Sequence, residues 1–147
     1  MTSSYKRIFA AIDGGESQRN VCERAIELAE ANHADLFLGH VVDAVASEAS
    51  DADLNLLAMK VADQIEADLA DLLEPARSNP NIKSVTVKVV AGGLPEALGT
   101  VLAPQFDPDL VVCCKRGFSG LRYAFVGSVS TYLIRNMDCD VLVVDKA

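Results

Sequence analysis

No stretch of this 147-residue chain approaches the roughly 20 consecutive apolar residues that cross a bilayer, so no membrane-spanning helix is expected. The opening MTSSYKRIFAAID lacks signal-peptide architecture: its short apolar run leads into a charged turn without a cleavage-site pattern, which points to the cytoplasm. Positive charge is scarce. Thirteen Lys and Arg face 21 Asp and Glu, a formal net charge of −8, and that balance opposes attraction to nucleic acid and to anionic membrane surfaces. Metal and redox patterns are missing as well. Cys22, Cys113, Cys114 and Cys139 form no C-x-x-C pair, and only His33 and His40 could complete a ligand set. The cysteines therefore read as small buried residues. There is no G-x-x-x-x-G-K-[S/T] loop, no G-x-G-x-x-G fingerprint and no G-x-S-x-G elbow. Neither histidine stands in a recognisable relation to a serine or cysteine nucleophile, so no catalytic set can be named.

What is present is apolar patterning. Half of the residues are hydrophobic, enough for residues 1–147 to form one domain whose core needs neither disulfides nor metal. Arg7 to Ile12, Asp35 to Val42, Val85 to Val90, Leu110 to Cys114 and Val141 to Val144 are short apolar runs with little polar alternation, the mark of strands covered on both faces. Helical periodicity fills the intervals. After Ser17, a potential cap, Val21, Cys22, Ala25, Ile26, Leu28 and Ala29 share one face. From near Asp53, Leu57, Val61, Ile65, Leu69 and Leu72 do the same, with Asp63, Glu66, Asp68 and Asp71 as a solvated acidic surface. Pro75 and Pro80 mark a loop, Pro95 to Pro104 brackets a third helix, and Ser128 opens a fourth. Strands alternating with helices predict an α/β fold, a five-stranded parallel sheet with helices on both faces.

Val111 to Ser130 (VVCCKRGFSGLRYAFVGSVS) joins a strand, a loop with glycines and a helix N-terminus. Backbone N–H groups and the helix dipole at such a junction suit an anion. In a doubly wound sheet ligands bind beyond the carboxyl ends of the strands, where the strand order reverses. An order of 3-2-1-4-5 sets the first strand beside the fourth and brings Asp13-Gly14-Gly15 next to Cys114 to Gly117. A carboxylate for sugar hydroxyls beside amides for phosphate fits a nucleotide. Read on their own, Asp13 is equally a turn former, Lys115 and Arg116 solvated cations, and Ser128 and Ser130 helix caps.

The spacing Cys114-x2-Gly117-x9-Gly127-Ser128 resembles the G-x-x-G-x9-G-[S/T] nucleotide loop of the universal stress protein family, with cysteine at the first glycine. The first strand up to Asp13, His40-Val41-Val42-Asp43, Gly93-Leu94-Pro95 and Val141 to Val144 are similar to that family's pattern too. The resemblance implies its ATP-binding subgroup, a cytoplasmic stress-response or signalling protein that holds ATP with Mg²⁺. Ala11, Ile12 and Asp13 would line the end of the first strand, with Asp13 near the ribose. The backbone of Val41 would read adenine. Cys113 and Cys114 would lie beside the sugar, and Gly117, Gly127, Ser128, Val129 and Ser130 would cradle the phosphates with Arg116 pairing to one of them. Slow ATP hydrolysis is the most chemistry it implies. It further implies a homodimer paired through the last strand. The alternative is a dimeric interaction protein of the same fold that binds no nucleotide, the outcome if the Cys114 sulfur fills the sugar site instead of turning into the core.

Overall fold

The computed structural model describes residues 4–12, 17–43, 51–92, 106–114 and 137–144. Each apolar run forms a strand: β1 (Arg7–Ala11), β2 (Asp35–Asp43), β3 (Ser84–Gly92), β4 (Leu110–Cys114) and β5 (Asp140–Val144). They make one sheet in the order β3-β2-β1-β4-β5 with every neighbouring pair parallel, as the alternating pattern predicts. The ends differ slightly. β1 stops one residue short of Ile12, and β3 runs from Ser84 to Gly92, two residues beyond the Val90 at which the apolar run ends.

Side chains alternate between two faces. Ile8, Ala10, Leu36, Leu38, Leu110 and Val112 are buried on one, where α1 (Ser17–Asn32), α2 (Asp51–Asp68) and α3 (Ala70–Ser78) cover them. Phe9, Ala11, Val41, Val111 and Cys113 are buried on the other, with Phe37 stacked on Phe9 at 5.5 Å and tilted against Phe106 at 4.7 Å. The helices expected over residues 95–104 and from Ser128 lie outside the described residues.

α1 packs through Val21, Cys22, Ala25 and Ala29, the stripe expected of it. It ends in a left-handed cap: His33 has φ 53° and the Ala34 N–H reaches back to the Ala29 carbonyl at 3.0 Å, the six-to-one bond of a Schellman turn. Asn32 then accepts the Tyr5 N–H at 3.2 Å, so the end of α1 lies beside the start of β1. The helix runs against the strand, and its first turn stands at the sheet's carboxyl edge.

The second helical region departs from expectation at four points. It is two helices meeting at Leu69, and Pro75 lies inside the second of them, not in a loop. Proline costs α3 a hydrogen bond to the Asp71 carbonyl, but Leu73 and Ala76 on either side of it are fully buried, and that packing prevails. Leu57 is 41% exposed, and Ala58 faces the core in its place. Residues four apart on a helix drift by about 40° per step. The row Leu69, Ile65, Val61, Leu57 has therefore turned about 120° away by its last member. The acidic surface is not wholly solvated either. Glu66 takes two hydrogen bonds from Arg77, at 2.7 and 2.9 Å, and Asp71 pairs with Arg19 of α1.

The amino end of the sheet is tied through Asp109. Its carboxylate accepts the N–H groups of Lys6 at 2.8 Å and Arg7 at 3.0 Å, while its own N–H donates to the Arg7 carbonyl at 2.9 Å. The Tyr5 hydroxyl adds a bond to Asp140 at 2.6 Å.

Candidate functional site

The strand order reverses between β1 and β4, so the crevice at their carboxyl ends is where a ligand of this architecture belongs. Five residues expected there are described: Ala11, Ile12, Val41, Cys113 and Cys114. All five side chains are buried. Ala11, Val41 and Cys113 belong to the Phe9 face, Ile12 and Cys114 to the face under α1. What these residues can offer a ligand is therefore mainly backbone. Asp13, Arg116, Gly117, Gly127, Ser128, Val129 and Ser130 lie outside the described residues.

Ile12 is fixed although the β1 ladder has ended. Its N–H donates to the Gly39 carbonyl at 2.9 Å, and its carbonyl accepts a hydrogen bond from His40 Nδ1 at 2.8 Å. Donation to a carbonyl puts a proton on Nδ1. His40, 9% exposed, thereby clamps the last described residue before the Asp13-Gly14-Gly15 turn. Sequence reasoning counted His40 as a possible metal ligand and as part of a pattern. Its place in a run of apolar strand residues was the available sign of a buried, paired group.

Val41 is held differently. N–H and C=O of one strand residue point to the same side, and the side alternates along the strand. Gly39 turns its carbonyl toward β1, so Val41, two residues on, turns both groups the same way. The β1–β2 pairing stops at Ala11 and Gly39. Among the described residues, then, one donor and one acceptor of Val41 face the crevice with no strand opposite them. That pair is the chemistry a planar base edge needs.

Cys114 ends β4, opposite Val144 of β5, and is 8% exposed. Its side chain joins the apolar cluster under α1, away from the face carrying Cys113 and Val41. The Cβ and sulfur of Cys114 therefore pack into the core. Burial pushes the Cys113 thiol up to about 12, so it stays protonated and is no nucleophile at neutral pH. No group of three or more His, Cys, Asp and Glu suited to a metal ion occurs among the described residues, and no described helix is long and apolar enough to cross a membrane.

Known proteins share this fold. A Staphylococcus saprophyticus protein described as a universal stress protein is 29% identical over 144 residues, 96% of this chain and 84% of its own length. A universal stress protein solved in complex with cAMP superposes with a TM-score of 0.71 at 23% identity, over 99% of this chain and all of the other. UspA from Lactobacillus plantarum gives a TM-score of 0.69 at 20% identity, over 97% and 99% of the two chains. The profile of the universal stress protein family matches residues 4–145, and the chain belongs to that family.

Proposed function

We propose that this chain is an ATP-binding member of the family, a cytoplasmic stress-response or signalling protein that takes the nucleotide, with Mg²⁺, into the crevice between β1 and β4. The observation that carries the reading is the backbone donor and acceptor of Val41 at the crevice mouth, which have no partner among the described residues. An adenine edge offers an amino donor and a ring-nitrogen acceptor in matching positions. The clamped Ile12 backbone holds the adjoining strand end in place, and a wall fixed before a ligand arrives lowers the cost of binding. A relative of the same fold holds a cyclic adenine nucleotide, and this supports the class of ligand. The sequence pattern Gly117-x9-Gly127-Ser128 supplies the phosphate half. Bound Mg²⁺ would neutralise phosphate charge. The chain's own residues bind and orient, and no described group is arranged to move a proton.

The Cys114 side chain joins the buried cluster under α1 and not the face that carries Val41 and Cys113, which supports this reading over a non-binding interaction protein. Isothermal titration with Mg·ATP tests it. The wild type should bind, and Gly127→Val should lose binding while keeping its circular dichroism spectrum, because a β-branched side chain would intrude where phosphate meets backbone N–H groups. Equal affinity in the folded variant would reject the loop as a phosphate cradle. The absence of any adenine nucleotide binding to the wild type would reject the function.

A further inference from the structure

Two polar side chains are buried among the described residues, His40 and Gln18. His40 is paired with the Ile12 carbonyl. Gln18 is 7% exposed, and its Oε1 has no hydrogen-bond partner among the described residues. A buried amide oxygen left without a donor is destabilising, and native proteins keep few of them. Such an atom at a ligand crevice is an acceptor waiting for a donor.

Gln18 stands at that crevice. It lies in the first turn of α1, in line with the buried stripe Val21, Cys22, Ala25 and Ala29. The far end of the helix is located by the Asn32 bond to the Tyr5 N–H. Fourteen residues of helix separate Gln18 from Asn32, about 21 Å at 1.5 Å per residue. Tyr5 to Ile12 is seven residues of nearly extended chain, about 23 Å. Gln18 is thus level with Ile12. α1 packs on β1 and β4, the two strands that flank the crevice.

We propose that Gln18 is a specificity-determining residue of the nucleotide site, its Oε1 accepting a hydrogen bond from a ribose hydroxyl. This rests on the reading of the crevice as a nucleotide site. Ionised phosphates carry no donor and cannot satisfy the oxygen. The amino group of the base is matched to Val41, on β2 and thus one strand further from β4. The sugar joins base to phosphates and so spans the β1 position beneath Gln18, and its hydroxyls are donors.

The test compares ATP, 2′-deoxyATP and 3′-deoxyATP by titration calorimetry on wild type and on Gln18→Met, with the melting temperature of each protein measured without ligand. The wild type should prefer ATP to one deoxy analogue by roughly three- to tenfold, the worth of one hydrogen bond. Gln18→Met should bind ATP as weakly as that analogue and lose the preference. Its ligand-free melting temperature should rise, because the orphaned oxygen is gone. A wild type that binds all three equally, or a variant that keeps the preference, overturns the assignment while leaving the nucleotide site standing. A lower melting temperature with unchanged preference makes Gln18 a packing residue and overturns it as well. A wild type that binds none of the three overturns both the site and the assignment.

Discussion

At the scale of single residues, Cys114 shows how the last side chain of a strand can be turned into the core. Its sulfur fills core volume under α1, so Cys114→Gly should act on stability first. The void and the added freedom of glycine within a strand should together cost about 2 kcal/mol in a urea titration. ATP affinity should tighten only modestly, by no more than the roughly 1 kcal/mol of one imperfect hydrogen bond. A variant that gains far more affinity than this would mean that the sulfur does obstruct the sugar. Spacing made Cys114 legible as the odd residue of the loop, but not the direction of its side chain. That depends on the pleat, which puts Cys113 and Cys114 on opposite faces. The two buried polar residues were less legible still. The bond from His40 joins residues 28 apart, and Gln18 is the polar member of an otherwise apolar helix stripe. Both become meaningful only once α1, β1 and β2 are assembled.

Among the elements, the strands were easy to read because burial on both faces leaves unbroken apolar runs, and β-branched residues fill them. The α2–α3 region was harder. Its core positions include small alanines, 58 and 76, which carry little hydrophobic signal, and a proline tolerated in a helix. Pro75 is exposed, so Pro75→Ala should restore the bond to the Asp71 carbonyl and raise stability by about 1–2 kcal/mol, after the looser unfolded chain is allowed for. Chemical denaturation would show an unchanged or lower midpoint if the ring's packing mattered more. The ion pairs of this region are pH-sensitive. Hydrogen bonds from Arg77 hold Glu66 below the usual carboxylate range, and those from Arg19 do the same for Asp71. Because both carboxyls sit lower in the folded state, the stability they add is complete above about pH 4 and is lost as pH falls through the lower folded values. Arg77→Ala should therefore cost about 0.5 kcal/mol at pH 7, a figure reduced for the exposure of both partners. The gap to wild type should close in acid, and a gap that stayed constant down to pH 2 would mean that Arg77 acts through packing alone.

For the whole molecule, the parallel pattern followed from the alternation of strands and helices and the 3-2-1-4-5 order from setting the first strand beside the fourth, whereas the backbone offered by Val41 was not legible. It exists because β2 has nine residues and β1 only five, a difference that appears once the register is known. β5 forms one edge of the sheet, with Val141 to Val144 only partly buried. Edges of this kind invite pairing, and light scattering at micromolar concentration should report a homodimer; a monomeric mass would count against pairing through β5. The sheet is also unevenly sewn. Nine residue pairs join β2 to β3, but only three join β1 to β4, and the Asp109 carboxylate fastens that seam at its base. Among the described residues the seam is held most firmly at its base, like a clothes peg with its spring at Asp109 and its jaws at the crevice. Small rotations about the pin would become the widest movements at the mouth, so a ligand gripped there would set the angle between the two halves of the sheet.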